Sequence, residues 1–325
     1  RRNRRENEIR ADGLIIGRAV QAQLQRVIHG QALAIQSLLV AVSAGGHVLI
    51  EGVPGLAKTL LARSLPGAFR CGFSRSQFTP DLMPSDITGV NVFDASSRQF
   101  SFRPGPLFSD IVLADEINRA PAKTQAALLE AMQEYQVSID GESRELSRCF
   151  TVVATQNPIE YEGTYPLPEA QLDRFLMKVI VDYPAEAEER SMLRAMQALG
   201  DQASQAYSII QPVAGLEDIL RLRAASNAVR VDDTVMEYVL RLIRQSRAFA
   251  SLTLGASPRA AIMLLQAAKA LSLLRGKDYV TPDEIQLMAL PVLRHRIRLT
   301  PEAEIEGLTP DGCIQSLLAQ VDVPR

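Results

Sequence analysis

Residues 49–65, "LIEGVPGLAKTLLARSL", decide how the rest of the sequence is interpreted. The stretch is close to the phosphate-binding pattern G-x-x-x-x-G-K-[ST], but Ala57 stands where the pattern has glycine. An apolar run, residues 47–52, leads into the glycine-rich loop, and a segment with helical spacing follows the loop. Strand, glycine-rich loop and helix are the context that a phosphate loop requires. The alternative, an accidental match at the start of an ordinary helix, loses support here.

A phosphate loop holds its anion with backbone N–H groups, a helix N-terminus and a lysine. Gly52 and Gly55 permit the tight path of such a loop, and Lys58 is expected to reach the β- and γ-phosphates. The hydroxyl of Thr59 suits Mg²⁺. A left-handed alanine costs roughly 1–2 kcal/mol. We therefore expect Ala57 to have a negative φ at the start of the helix.

Two acids end the apolar run "DIVLADE", residues 110–116. Adjacent acids at the carboxyl end of a parallel strand lie where α/β sheets bind ligands. Asp115 suits coordination of Mg²⁺, and Glu116 suits the orientation or deprotonation of a water that attacks the γ-phosphate. A lone Asp-Glu pair is more often surface charge, but the preceding buried strand and the upstream phosphate loop make this pair more specific.

Two further positions allow both an ordinary and a functional interpretation. Asn157 ends the apolar run 150–157 and is either part of an Asn-Pro turn or a holder of the attacking water or a γ-phosphate oxygen. Arg174 precedes the apolar run 175–182. It either pairs with a nearby acid, Asp173 or Glu169, or is supplied to the nucleotide of a neighbouring subunit.

Arg259 is placed against the helix dipole. In "ASPRAA" Ser257 is a predicted N-cap and Pro258 the first helical residue, so Arg259 lies in the first turn. A cation there is unfavourable by about 0.3–1 kcal/mol when exposed. Its position indicates a nearby anion, either the γ-phosphate of a nucleotide under a hinged lid or the acid of an ordinary ion pair.

The remaining pattern predicts an α/β fold in which a parallel sheet is covered by helices on both faces, because near-continuous apolar runs alternate with helical segments. Two hairpins are predicted, one at 89–102 with Val90 and Val92 facing Phe100 and Phe102, and one at 136–146 around Asp140-Gly141. From residue 185 onward amphipathic segments predict an all-helical second domain. The expected domains are a basic, solvated arm (1–14), an ATPase core (15–184) and a helical lid (185–325).

The composition argues against several classes of protein. With 35 Lys plus Arg against 37 Asp plus Glu, the sequence lacks the basic excess of a broad nucleic-acid interface, and it has no Trp and only 5% aromatic residues for base stacking. The three cysteines (Cys71, Cys149, Cys313) lack the spacing of zinc ligands or of a disulfide framework. Polar residues and a glycine pair interrupt the apolar segment 32–50. A cytoplasmic protein without a secretory signal or a membrane span is expected.

Taken together, these motifs resemble the MoxR family of AAA+ ATPases, which is related to the ATPase subunits of magnesium chelatase. The resemblance rests on "VIHGQ" (27–31), "GGHVLIEGVPGLAKT" (45–59), "LADEINRAPAKTQAALLEAMQE" (113–134), "VVATQNPIEYEGTYPLPEAQLDRF" (152–175) and "GASPRA" (255–260), which occur in the family's order.

The resemblance implies an AAA+ module with one hairpin inserted in its second helix (89–102) and another before the first sensor (136–146), followed by a helical lid. It implies that Lys58 and Thr59 belong to the Walker A motif and Asp115 and Glu116 to Walker B. Asn157 corresponds to sensor 1, Arg174 to the arginine finger and Arg259 to sensor 2, with Arg119 a rival for the finger. The residues implied to contact ATP are Val27, Ile28, Gly52, Val53, Pro54, Gly55, Leu56, Ala57, Lys58, Thr59, Leu60 and Asp115, with Thr59 and Asp115 also holding Mg²⁺.

The function that the resemblance implies is ATP hydrolysis in a ring, expected to be hexameric, that remodels or matures protein complexes in a chaperone-like way. Partners with von Willebrand factor A domains are associated with such proteins. One alternative is an AAA+ motor or loader that acts on nucleic acid, which the acidic balance and the short hairpin tips disfavour. Another is a small-molecule kinase or GTPase, although the guanine motif N-K-x-D is absent from the sequence.

Overall fold

In a computed structural model of the chain, the described residues are 2–52, 58–158, 163–199 and 209–324, and for residues 2–5, 59, 60 and 199 only the backbone is described. The helices are α1 (Arg2–Leu24), α2 (Ala32–Ala44), α3 (Lys58–Ala68), α4 (Pro84–Thr88), α5 (Ala122–Glu134), α6 (Glu169–Leu172), α7 (Glu186–Leu199), α8 (Leu216–Asn227), α9 (Asp233–Ala248), α10 (Pro258–Leu274), α11 (Pro282–Leu293), α12 (Pro301–Ile305) and α13 (Pro310–Gln320), with a 3₁₀ turn at Ile117–Arg119.

The strands are β1 (Val48–Glu51), β2 (Phe69–Arg70), β3 (Phe73–Gln77), β4 (Gly89–Asp94), β5 (Gln99–Pro104), β6 (Ile111–Asp115), β7 (Gln136–Ile139), β8 (Glu142–Glu145), β9 (Thr151–Gln156), β10 (Met177–Ile180), β11 (Ala214–Gly215), β12 (Leu252–Leu254) and β13 (Arg298–Leu299). Five of them form a parallel sheet in the order β10-β1-β9-β6-β3. The predicted α/β fold with two hairpins and a helical C-terminal part is therefore confirmed. The edge strand β3 was not predicted.

The sheet is buried on both faces, as its apolar runs predicted. Alternate residues of β1 contribute to two different apolar clusters, Val48 and Ile50 to one and Leu49 to the other. The same alternation occurs in β6, where Leu113 faces the first cluster and Val112 the second. Helices must cover both faces because neither can remain in contact with water. The carboxyl ends of the strands are left as the accessible polar edge of the sheet.

Both predicted hairpins are present, with one correction. Asp140 and Gly141 have φ values of +51° and +81° and form the tip between β7 and β8. In the first hairpin the predicted pairing of the valines with the phenylalanines is wrong by one residue, since Phe93 lies opposite Phe100 and Asn91 opposite Phe102. Arg98 adopts a φ of +53° in the connecting loop, which ends β4 at Asp94 and starts β5 at Gln99. The shift leaves Phe93 and Phe100 exposed side by side.

The N-terminal residues are helical where they are described, because α1 runs without a break from Arg2 to Leu24, and the basic arm at residues 1–14 remains a prediction. A Cβ on Gly13 would lie 2.4 Å from the Cβ of Ala225 in α8, which shows how closely the two helices approach. Arg10 donates a hydrogen bond to the carbonyl of Ala228 over 3.3 Å. Small residues in α1, such as Gly13 and Gly17, allow close packing against neighbouring helices. The many basic residues at the start of the chain gave no indication of it. The division at residues 184 and 185 remains a prediction.

Gly89 provides a test of how the first hairpin is anchored. It has a φ of +103°, and an added Cβ would lie 2.4 Å from the carbonyl oxygen of Arg103. We expect Gly89→Ala to lower the free energy of unfolding, measured by urea denaturation, by more than Gly141→Ala does. The control substitution carries only the left-handed backbone cost of about 1–2 kcal/mol, because nothing lies within 4 Å of its Cβ position. Equal losses would contradict the close backbone contact.

Candidate active site

The carboxyl ends of three neighbouring strands bring the predicted polar residues together. Gly52 follows β1, Asp115 ends β6, and Asn157 follows β9, which lies between β1 and β6 in the sheet. Glu51 is in register with Gln156, and the Gly52 N–H donates to the Gln156 carbonyl over 3.4 Å. This edge is where an open parallel sheet binds its ligands.

Lys58 is held by neutral oxygen atoms. Its Nζ donates to the carbonyl of Gly52 over 2.6 Å, to the carbonyl of Gln156 over 3.3 Å and to Oδ1 of Asn157. Burial lowers the pKa of this ammonium, and the charges of Asp115 and Glu116 oppose that shift. None of the described hydrogen bonds of Lys58 is to a carboxylate. The arrangement fixes a cation at the N-terminus of α3, where an anion is favoured.

Asp115 is buried and engaged on both carboxylate oxygens. Thr155 donates its hydroxyl to Oδ1 over 2.5 Å, and the Arg75 guanidinium lies 2.7 Å from Oδ2. The same Thr155 oxygen accepts the backbone N–H of Glu116 over 3.0 Å. One buried threonine of β9 therefore holds the carboxylate of Asp115 and the backbone of Glu116.

Glu116 leaves the strand in a left-handed conformation with a φ of +56°. This backbone turns the chain out of β6 and into the 3₁₀ turn at Ile117–Arg119. Arg119 pairs with Glu116 of its own chain, Nη1 to Oε2, over 3.2 Å. The rival for the trans-acting arginine thus has an acid partner within its own subunit.

Arg174 has no such partner among the described residues. The two acids proposed for an ordinary pairing bind elsewhere, Asp173 to Arg296 over 2.7 Å and Glu169 to Arg298 over 3.2 Å. Arg259 lies in the first turn of α10, beyond the N-cap Ser257, as predicted. Its Nε is 3.9 Å from Oδ2 of Asp173, so the nearby anion in this structure is a carboxylate.

Several predicted contacts lie at the limits of the description. Val53, Pro54, Gly55, Leu56 and Ala57 are outside the described residues, and so is the predicted φ of Ala57. The side chains of Thr59 and Leu60 are likewise not described. Val27 and Ile28 are buried after α1, and Ile28 lines a cleft with the first residues of α2 and with Glu188 of α7. The contact of Val27 and Ile28 with ATP, which the resemblance implied, remains a prediction.

Two residues of the site were not predicted from the sequence. Thr155 lies within an apolar, β-branched strand and carries no signal of its own. Arg75 belongs to β3, whose sequence "FSRSQ" has too few apolar residues to be read as a buried strand. The pairing of β9 and β3 with β6 places Thr155 and Arg75 beside Asp115. Both residues are therefore recognised only once the order of the strands in the sheet is known.

Comparison with known proteins agrees with this geometry. The family model described as "ATPase family associated with various cellular activities (AAA)" matches residues 47–177, and an AAA lid domain model matches residues 244–316. The chain is 42% identical to the chaperone MoxR1 of Mycobacterium tuberculosis over 93% of this chain and 81% of that protein. The chain belongs to the MoxR family of AAA+ ATPases.

Two further similarities cover nearly the whole chain. The uncharacterized protein YeaC of Bacillus subtilis is 46% identical over 95% of both chains. The crystal structure of a "putative ATPase" from Cytophaga hutchinsonii superposes with a TM-score of 0.89 at 40% identity, covering 98% of each chain. Membership of the AAA+ family supports nucleotide binding and ATPase activity for this chain. Within the part of the chain that is described, no helix is both long and apolar enough to cross a bilayer.

The shared threonine of the two acids can be tested with a matched control on the same strand. Thr155→Val removes the hydrogen bond donated to Asp115 and the one accepted from the Glu116 N–H, and we expect turnover of ATP to fall roughly 10²-fold as the acids lose their positions. Thr151→Val also removes two hydrogen bonds, a buried one to the Cys149 carbonyl and a partly buried one from Arg223, at the opposite end of β9.

Steady-state hydrolysis and nucleotide affinity are the measurements, alongside thermal melting of both variants. The Thr155→Val variant should lose turnover while it still binds nucleotide, and the Thr151→Val variant should lose stability only. Equal turnover in the two folded variants would contradict the assignment of Thr155 to the site.

Proposed function

We propose that this protein hydrolyses ATP with Mg²⁺ in a ring of subunits, expected to be a hexamer, and uses the energy to remodel or mature protein complexes in the cytoplasm. The observation that carries the proposal is the position of Lys58, a cation bonded to neutral oxygens between the ends of β1 and β9, beside the acids Asp115 and Glu116. An anion with its own cation, such as ATP with Mg²⁺, matches that distribution of charge.

The residues present fit a nucleotide-bound Mg²⁺. No group of three or more His, Cys, Asp or Glu that could hold a metal by itself occurs among the described residues. Mg²⁺ in nucleotide sites takes one or two carboxylates and completes its shell with phosphate and water oxygens, so Asp115, with Thr59, is a suitable donor set. When bound, the ion neutralises charge on the phosphate oxygens.

The chain's own groups then have distinct tasks. Lys58 binds the outer phosphates, and Asn157, which already contacts Lys58, orients the attacking water or a γ-phosphate oxygen. Glu116 accepts the proton of that water. Arg259 binds the γ-phosphate from the lid, after exchanging Asp173 for the nucleotide. Positioning and charge stabilisation supply most of the catalysis in phosphoryl transfer.

We assign the trans-acting arginine to Arg174. It carries no acid partner among the described residues, whereas Arg119 is bound to Glu116 of its own chain. An arginine that serves a neighbour's site must keep its guanidinium available until the subunits assemble. Ring formation therefore determines activity, because each site lacks an arginine until the adjacent subunit supplies one.

The proposed clients are proteins, with von Willebrand factor A domain partners among the candidates. The first hairpin exposes Phe93 and Phe100, whose ring centroids are 5.2 Å apart, on strands with few basic residues. A paired aromatic surface suits contact with apolar side chains of a polypeptide. A nucleic-acid track would instead present a row of Lys and Arg, so the motor or loader acting on nucleic acid stays the less favoured alternative.

Mixing of inactive variants tests the shared site. Lys58→Ala should abolish nucleotide binding while leaving Arg174 intact, and Arg174→Ala should bind ATP but lose turnover by about 10³-fold or more. Mixed together, they should recover hydrolysis, because Arg174→Ala subunits receive an arginine from Lys58→Ala neighbours. Arg119→Ala is the matched control and should retain turnover alone. If Arg174→Ala alone were fully active, and if Arg119→Ala were inactive alone but recovered hydrolysis when mixed with Lys58→Ala, the role would belong to Arg119 instead.

A substrate trap tests the client. Glu116→Gln should bind ATP without hydrolysing it, so that client proteins stay bound and co-purify in the presence of ATP. Lys58→Ala, which should not bind ATP, is the matched control for non-specific retention. Nuclease treatment before the purification separates the two client classes. Retention of DNA or RNA, with binding that weakens steeply as salt is raised, would contradict a protein client.

A further inference from the structure

A buried arginine of the C-terminal part reaches the turn that carries Arg174. Arg296 follows α11, and its side chain is 1% exposed. Its guanidinium contacts the segment 173–176, between α6 and β10. We propose that Arg296 is the positioning residue for Arg174. Through Arg296, the lid then determines how Arg174 is oriented toward the nucleotide of the next subunit. This inference rests on the proposed function of Arg174.

Arg296 contacts the chain on both sides of Arg174 in the sequence. Before it, Arg296 Nε is 2.7 Å from Oδ1 of Asp173, and Nη2 donates to the Asp173 carbonyl over 2.9 Å. After it, Nη2 donates to the Phe175 carbonyl over 2.5 Å and Nη1 to the Leu176 carbonyl over 3.1 Å. The planar guanidinium can satisfy several acceptors at once, which the single ammonium of a lysine cannot do in the same geometry.

The charge of Arg296 is part of this clamp. Burial lowers the pKa of its guanidinium to about 10, and Asp173 opposes that shift, so the group remains charged near neutral pH. His295 adds a neighbouring contact, with Nε2 3.0 Å from the Phe175 carbonyl oxygen. A charged group this deeply buried is retained only where its hydrogen bonds are satisfied. Here those bonds are made to the short turn 173–176, to the Val292 carbonyl at the end of α11 and to the sulfur of Met263 in α10.

The side chain of Arg174, by contrast, contacts no described acid. A fixed backbone with an available guanidinium is the arrangement that a trans-acting arginine needs, because its stabilisation of the transition state depends on prior positioning. Asp173 also lies 3.9 Å from Arg259, the residue assigned to the nucleotide of the same subunit. The turn that carries Arg174 is therefore in contact with two arginines of the C-terminal part.

Arg296→Lys tests the inference. The variant keeps the positive charge but loses the forked contacts, and we expect turnover to fall by about 10²-fold, the effect of a misplacement near 1 Å. Nucleotide affinity should be unchanged, since the subunit's own site is intact. Arg294→Lys is the matched control. Arg294 lies two residues away and binds Asp311 and the Lys178 carbonyl, outside the turn, so its turnover should stay near that of the unmodified protein.

Subunit mixing separates positioning from a general loss of structure. Arg296→Lys mixed with Lys58→Ala should recover hydrolysis, because its own site is then served by a normal Arg174. Mixed with Arg174→Ala it should recover none, since neither subunit delivers an arginine. Recovery with Arg174→Ala, or none with Lys58→Ala, would overturn the inference. Failure of the Arg174→Ala and Lys58→Ala mixture would instead refute the proposed role of Arg174, whatever Arg296→Lys does.

Asp173→Asn provides a second variant if Arg296→Lys does not fold, as judged by thermal melting. It preserves the size of the side chain and the backbone carbonyl, and it removes the charge that binds Arg296 at 2.7 Å and that Arg259 approaches at 3.9 Å, so nucleotide affinity is measured alongside turnover. The same mixing pattern with a smaller loss of turnover is expected. Unchanged turnover in folded Asp173→Asn would overturn the inference when Arg296→Lys is unfolded.

Discussion

The bonding of Lys58 is the interaction on which the candidate site depends. A buried ammonium must be compensated, and here the compensation comes from the carbonyls of Gly52 and Gln156 and the amide of Asn157. The two carbonyls belong to the carboxyl ends of neighbouring strands, so the register of the sheet fixes the charge in space. Because these acceptors are neutral, the positive charge is solvated without being cancelled. It remains available to an incoming anion.

The same sheet register explains what the sequence allowed us to predict. Strands buried on both faces appear as continuous apolar runs, and their ends can be located, so Asp115, Glu116 and Asn157 were predicted before the structure was known. Thr155 was missed because a threonine inside a β-branched run looks like strand propensity alone. Arg75 was missed with its strand, since an edge strand needs less apolar surface. Both residues act on Asp115 across strands, and cross-strand neighbours follow from sheet order rather than from sequence order.

Packing between distant segments accounts for the other differences. The charges of the first residues suggested a solvated arm, but α1 approaches α8 through Gly13, where a side chain would collide with Ala225. A glycine on a helix face normally lowers helix propensity, so propensity argued against the correct result. In the hairpin β4–β5, the register differs by one residue from the predicted one. A difference of one residue places each side chain beside different partners, and Phe93 and Phe100 are paired and exposed. Neither effect is encoded in a local pattern.

The junction at Asp173 shows how the two parts of such a site depend on each other. Arg296 and Arg259 both approach this one carboxylate, the first at 2.7 Å from a buried position and the second at 3.9 Å from a half-exposed one. The two contacts differ in strength, because a short, buried ion pair supported by hydrogen bonds to backbone carbonyls is harder to replace than a long and partly solvated one. A phosphate that attracts Arg259 would therefore leave the Arg296 contact in place. Any such exchange is reciprocal, since a nucleotide that favours one arrangement of the lid is itself bound more tightly by that arrangement.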